Sequence, residues 1–263
     1  MSVLSDASSS PNYFSRLFAL IRLSLVQLVR PPSAPRRAEA FRRLRRQFLW
    51  LSVIGAALIV TLMVTFDEIE IGMMPPRGTP SLWPVRILTD FGKDAYVLGA
   101  LAALLAIIGL AIPMLARPSR ILLARYGRRV QYLFLAVLVP VLLSDVIKWL
   151  VGRGRPFVGG KANAFNFAPF NGTEAYASLP SSHAVTAGAL AFAVAAIWPR
   201  TRIAMAIYAL MILVTRLVLL AHHPSDVVAG GLLGVIGAMA VRYWLAARRI
   251  GFTVRNHGEI VSR

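Results

Sequence analysis

Apolar residues in this chain gather into six long runs separated by short polar connections. The runs predict helices over Phe48–Phe66, Ala95–Leu115, Val130–Val151, His183–Trp198, Ile203–Ala221 and Pro224–Leu245. Each approaches the roughly 20 residues that a helix needs to cross the hydrocarbon core of a bilayer. The expected fold is therefore all-α, a bundle of six transmembrane helices. Pro140 falls inside the third run and predicts a kink there. Ahead of the runs, Pro11–Arg30 has a different pattern. Asn12, Ser15, Arg16, Arg22, Gln27 and Arg30 share one side of a helical wheel, and leucine, phenylalanine and valine cover the other. Three arginines argue against a span, so the reading is an amphipathic helix lying in the membrane interface; docking on protein is the alternative. Pro31-Pro32 ends it.

Composition supports a membrane setting. Apolar residues make up 57% of the chain and the mean hydropathy is +0.65, too high for a water-soluble domain. The net charge of +18 raises the question of nucleic acid, but 26 of the 29 basic residues are arginines placed mostly between the apolar runs. One set of connections (1–47, 116–129, 199–202 and 246–263) carries 20 Lys and Arg, against 6 on the other set (67–94, 152–182 and 222–223). The positive-inside rule then places both termini in the cytoplasm. The domain reading is a cytoplasmic N-terminal segment (1–47), a six-span domain (48–245) and a basic cytoplasmic tail (246–263). Arg36 to Arg46 reads as a basic helix that meets anionic lipid headgroups. Residues 1–10 read as polar and disordered, no removable signal peptide is evident, and the absence of cysteine excludes thiol chemistry and disulfides.

The chemistry concentrates at the non-cytoplasmic ends of the spans. In TRLVLLAHHPSDV (215–227), Arg216 interrupts an apolar run, His222 follows, and Pro224 fits the first position of a new helix. Asp226 falls in that helix's first turn, within reach of the His222 ring. A carboxylate so placed fixes the imidazole tautomer and makes the other nitrogen a better base or nucleophile. A snorkelling Arg216 and a merely interfacial His222 remain open on this stretch alone. In SLPSSHA (178–184), Ser181 or Ser182 caps a helix with His183 in its first turn. Free N–H groups at two helix starts favour an anion. With Lys148, Arg155 and Arg216 converging there, the demand is for a phosphate-sized negative charge.

Three blocks in order carry a resemblance. Lys148 with Arg155-Pro156, then Pro180-Ser181-Ser182-His183, then Thr215-Arg216 with His222 and Asp226, resemble the type 2 phosphatidic acid phosphatase family, whose fold is shared with vanadium haloperoxidases. Ser182 stands where that family has glycine and Thr215 where it has serine. The match covers about 145–227 directly. The resemblance implies that His222 is the nucleophile and becomes a phosphohistidine, with Asp226 orienting it. It implies that His183 is general acid and then base, and that Lys148, Arg155, Ser181 and Arg216 hold the phosphoryl oxygens. Ser182 joins them, its hydroxyl able to donate to phosphate or to cap the helix. Phosphoryl transfer asks a protein mainly for positioning and charge, so neither a metal nor another cofactor is expected.

The function so implied is an integral membrane phosphatase acting on a lipid phosphate or diphosphate at the non-cytoplasmic face of a bacterial inner membrane. Phosphatidic acid, phosphatidylglycerol phosphate, polyprenyl diphosphate and lipid A phosphate all qualify as substrates. The alternatives are a lipid phosphotransferase using the same phosphohistidine, or a non-catalytic headgroup binder or transporter. Membrane lipid is the expected partner, not nucleic acid, and the oligomeric state is open. Duller readings attach to neighbouring residues. His223 reads as an interfacial polar residue, Asp145 as holding Lys148, Arg153 as facing headgroups, and His257 as lying away from the site. The loop 164–170, with three phenylalanines, reads as a lipid entry route, and the loop 67–94 suggests no chemistry.

Overall fold

A computed structural model describes residues 12–160, 162–254 and 260–262. The polar first ten residues and His257 lie outside them. Nine α-helices are present among the described residues: α1 (Tyr13–Val29), α2 (Ala34–Thr65), α3 (Asp67–Met73), α4 (Trp83–Asp90), α5 (Asp94–Ala111), α6 (Arg117–Val151), α7 (Ser182–Ile197), α8 (Arg202–Val218) and α9 (Pro224–Ala247). All six apolar runs become helices, namely α2 and α5 to α9.

The helix starts follow local chemistry. Asn12 caps α1 by accepting the Ser15 N–H at 2.9 Å. Prolines occupy the first turns of α2, α6 and α9, where a missing N–H costs nothing. No glycine or proline interrupts the chain between Arg36 and the first span. The basic segment and that span therefore form one continuous helix, beginning earlier than the apolar pattern alone suggests. Helix α6 ends at Gly152, whose φ of +56° is left-handed. A Cβ there would lie 1.9 Å from the Ala168 carbonyl oxygen, so only glycine fits.

Five helical stretches are long and apolar enough to cross a membrane: 37–65, 80–114, 117–151, 199–218 and 224–247. The sixth run gives α7, only 16 residues long and short of a full span. Its surroundings explain the shortness. Helices α6, α8 and α9 all pack against α7, and nine of its residues are buried, six of them alanine or glycine. A helix enclosed by protein need not match the bilayer thickness. Small residues let the backbones close in, since a Cβ on Gly234 of α9 would sit 2.2 Å from the Val185 carbonyl oxygen of α7. By contrast, α2 turns Trp50, Val53, Ile54, Val60 and Val64 outward, a surface suited to lipid and unsuited to water.

Two segments outside the apolar runs take further structure. Helix α1 is docked: the Tyr13 hydroxyl donates to the Leu110 carbonyl at 3.0 Å, Gln131 donates to Ser24 at 3.0 Å, and Leu20 and Leu28 pack on the core. Its outer face still exposes Phe14, Phe18, Ile21 and Leu25. The tail is also not simply a basic extension. Short strands β1 (Phe252–Val254) and β2 (Ile260–Ser262) pair antiparallel, and Phe252 is buried edge-on against Tyr132 with ring centroids 4.7 Å apart.

Candidate active site

The start of α7, the start of α9 and the ends of α6 and α8 meet at one end of the bundle. The Ser181 N–H donates to the Asp226 carbonyl at 3.1 Å, tying the first turns of α7 and α9 together. A Cβ on Gly230 would lie 2.5 Å from the Ser181 carbonyl oxygen, so glycine permits this approach. Lys148 at the end of α6 reaches the Ser182 hydroxyl, and lies 3.4 Å from Asp145 as its spacing suggested. Arg216 is buried and donates to the Thr89 hydroxyl at 2.9 Å. Arg155 pairs with the exposed Glu174 at 3.1 Å. Ser182 takes no left-handed backbone conformation; at this position in α7 the departure from glycine costs no strain.

His222 sits in the turn between α8 and α9 and is only 3% exposed. Its Nδ1 is 2.9 Å from the Ser178 carbonyl oxygen. A carbonyl only accepts, so Nδ1 carries the proton and Nε2 holds the lone pair. Burial, then the charges of Arg216 and Arg155, push the His222 pKa well below the usual 6.5. The ring is thus neutral near pH 7, the state a nitrogen nucleophile needs. Burial also lowers the Arg155 pKa. The charges of Arg216 and Lys148 reach both His222 and His183, so the two imidazoles share one electrostatic environment.

Four buried polar atoms on this wall have no hydrogen-bond partner among the described residues: His183 Nε2, Ser181 Oγ, Arg155 Nε and Arg216 Nε. An unmet buried donor costs about 1–3 kcal/mol. Four together, beside two helix starts, are matched by a multiply charged oxyanion. A cavity of about 300 Å³ lined by Arg77, Phe157 and Glu174 opens beside Arg155.

The expected contact between Asp226 and His222 is not made. Asp226 instead accepts from the Ser178 hydroxyl at 2.6 Å and from the His223 N–H at 2.9 Å. It therefore reaches the His222 ring at one remove, through the residue whose carbonyl holds that ring. Behind it lies a network that local spacing did not reveal. Arg153, expected at the headgroups, is fully buried. It donates to Asp226 at 2.6 Å, to Asp67 at 2.8 Å, to Ser225 at 2.6 Å and to the Ala164 carbonyl at 2.7 Å. Asp67 also accepts the Ser225 N–H at 3.0 Å. The loop 164–170 holds this in place, with Ala168 N–H donating to Gly152 at 2.7 Å and Asn166 accepting from Gly154 at 2.8 Å. Its phenylalanines 165, 167 and 170 remain exposed. His223, read as interfacial, is fully buried against the same network.

The loop 67–94 likewise carries more than its pattern suggested. It supplies Asp67, Thr89, and two further cations, Arg77 and Lys93, whose charges reach Arg216 and His183 respectively. The one local signal was an acidic cluster, Asp67-Glu68-Ile69-Glu70, directly after an apolar run.

The chain is similar in sequence to known proteins. A sequence model described as the PAP2 superfamily matches residues 129–250. A lipid A 1-phosphatase of Rhizobium johnstonii is 35% identical over 204 residues, covering 73% of this chain and 82% of that protein. A lipid A 1-phosphatase of Rhizobium etli is 37% identical over 150 residues, covering 55% of this chain and 63% of that protein. No solved structure matches the chain.

Proposed function

The chain belongs to the PAP2 superfamily, and from that premise we propose that it removes the 1-phosphate of lipid A through a phosphohistidine on His222. It is a membrane lipid phosphatase; the substrate, the intermediate and the side of the membrane are the further step. Lipid A as substrate is supported by the names of the two Rhizobium relatives. The single observation that carries the chemistry is the bond from His222 Nδ1–H to the Ser178 carbonyl, which leaves Nε2 unprotonated beside three cations.

In this reading Nε2 of His222 attacks phosphorus, forming the N–P bond as the P–O bond to the sugar breaks. His183 gives its proton to the departing oxygen. It then takes a proton from water, whose oxygen attacks phosphorus and breaks the N–P bond, releasing inorganic phosphate and the neutral histidine. Lys148, Arg155, Arg216 and the Ser181 and Ser182 hydroxyls stabilise the charge on the equatorial oxygens, the main demand of phosphoryl transfer. A dianionic phosphate also favours a protonated His183 by opposing the local positive charge.

The charge asymmetry of the connections supports cytoplasmic termini and a periplasmic site in an inner membrane. The chain has no cysteine, so single cysteines placed in 162–174 and 117–125 report orientation with an impermeant thiol reagent. Labelling of the second segment alone in intact cells overturns that orientation. The basic face of 36–46 contacts anionic headgroups, which salt-dependent binding to anionic vesicles tests. For the activity, the assay is phosphate release from a panel of lipid phosphates by wild type and His222→Ala. Lipid A bearing only the 1-phosphate is expected to be the best substrate, and lipid A bearing only the 4′-phosphate a poor one. Equal turnover of both, or an active His222→Ala, contradicts the proposal. Product analysis with labelled donor separates free phosphate from transfer to a second lipid.

A further inference from the structure

At the opposite end of α9 from His222, a second charged cavity of about 720 Å³ opens between α1, α6 and the end of α9. Helix α9 has 24 residues, and at about 1.5 Å per residue the two sites lie roughly 35 Å apart. Four arginines line the cavity: Arg30, Arg128, Arg248 and Arg249, with Gln27 beside them. No acidic residue lines it, and none of the four arginines has an ion-pair partner among the described residues. Four arginines lining one cleft with no acidic residue among them match it to an anionic ligand.

Two of the four are held in place. Arg248 stacks its guanidinium 4.2 Å from the Trp244 ring centre and donates to the Trp244 carbonyl at 3.1 Å, while its Nε is buried without a partner among the described residues. Arg249 occupies the left-handed position that closes α9, with φ of +58°. Its N–H bonds Ala246, and the Ile250 N–H bonds Leu245. Glycine is the usual residue at such a helix end, because a side chain there is sterically strained. Arg249 lines the cavity from that position, at a cost to the backbone.

An apolar cavity of about 390 Å³ continues from the basic one, sharing Pro31, Pro32, Ala247 and Arg248, and lined by Phe41, Leu44 and Tyr243. Arg37 also lines it, and its charge reaches Arg248. A polar, positively charged chamber joined to an apolar groove has the form of a phospholipid site, with room for headgroup and chain. We infer that this cleft binds a membrane phospholipid with an anionic headgroup, separately from the substrate. Assigning that lipid to the cytoplasmic leaflet rests on the orientation proposed above; the binding itself does not.

The test is native mass spectrometry of the full chain in detergent, titrated with dioleoyl phosphatidylglycerol, with dioleoyl phosphatidylcholine, and with inorganic phosphate as the free-anion arm. Wild type is expected to prefer phosphatidylglycerol, and Arg128→Gln/Arg248→Gln to lose roughly tenfold or more in affinity for it. Arg128→Lys/Arg248→Lys is expected to keep most of the preference, and Arg216→Gln, at the far end, all of it. Equal binding of both lipids by wild type overturns the proposal. So does a glutamine variant that binds as wild type, an Arg216→Gln variant that loses the lipid, or displacement of the lipid by inorganic phosphate beyond the effect of matched salt. Unchanged phosphate release by the glutamine variant shows that it folds; if it does not fold, wild type and the lysine variant still decide. A protein that keeps the preference yet hydrolyses no lipid phosphate removes the proposed activity and leaves this site standing.

Discussion

Replacing Arg153 by methionine perturbs the site without touching any residue proposed to contact phosphate. The side chain is fully buried and holds two buried carboxylates, Asp67 at 2.8 Å and Asp226 at 2.6 Å. Methionine fills much of the volume but leaves both carboxylates without a counter-charge, together with the Ala164 carbonyl that Arg153 also satisfies. Breaking a buried pair from one side costs about 3–5 kcal/mol, a large part of a typical total stability of roughly 5–15 kcal/mol. Asp226 then no longer holds the Ser178 hydroxyl in register, and the carbonyl of Ser178 is what orients His222. Supporting groups of this kind commonly change activity by about 10–100-fold. Arg153→Met is therefore expected to lower kcat by that amount with KM little changed, and to lower the thermal midpoint in detergent. Arg153→Lys keeps one charge but cannot bridge both carboxylates, and falls between. Adding Asp67→Asn to Arg153→Met removes one stranded charge, so the double variant is expected to be more stable than the sum of the singles. Strict additivity, or an Arg153→Met enzyme with wild-type kcat, refutes this reasoning.

Other predictions address single groups. Glu70 is buried with both carboxylate oxygens unpartnered among the described residues, and burial with the nearby charge of Asp67 raises its pKa from 4.5 to about 7. The folded state therefore holds a proton that the unfolded state has released between those values, so stability falls as pH rises through this window. Glu70→Gln is expected to raise the thermal midpoint at pH 8, by the equivalent of up to about 3 kcal/mol, and to change it little at pH 4; an equal effect at both contradicts the assignment. His222, with its pKa depressed by burial and by arginine charge, is expected to stay neutral on titration below pH 6.5. NMR of ring-labelled histidine, with the signal assigned by its loss in His222→Gln, reads this directly. Because Ser182 already has ordinary helical geometry, Ser182→Gly is expected to change turnover by no more than a few-fold, and a many-fold gain counts against that reading.

The six apolar runs announced the helices because lipid-facing and core-facing surfaces are both apolar, and only length separates them from loops. The residues proposed for the site stood out for a related reason: Lys148–Arg155, Ser181–His183 and Arg216–Asp226 are each short spacings at helix ends, and the roles proposed for them rest on the family resemblance those blocks carry. The support behind them was not. Arg153 meets Asp67 across 86 residues of sequence and Asp226 across 73, and no local pattern distinguishes a buried arginine from one at the headgroups. Ser178 acts through its backbone carbonyl, which any residue carries. The cavity at the other end draws its arginines from α1, α6 and the end of α9, so its charge reads along the chain only as scattered positive residues beside spans.

The proposed function turns on covalent phosphorylation of His222, and rapid quenching with 32P-labelled lipid A 1-phosphate reads that step out. An acid-labile, base-stable phosphoenzyme is expected in wild type. It should be absent in His222→Ala and should accumulate in His183→Ala when a good leaving group replaces the lipid. Phosphate release at a wild-type rate with no label on the protein, or a labelled protein that persists in His222→Ala, contradicts the account.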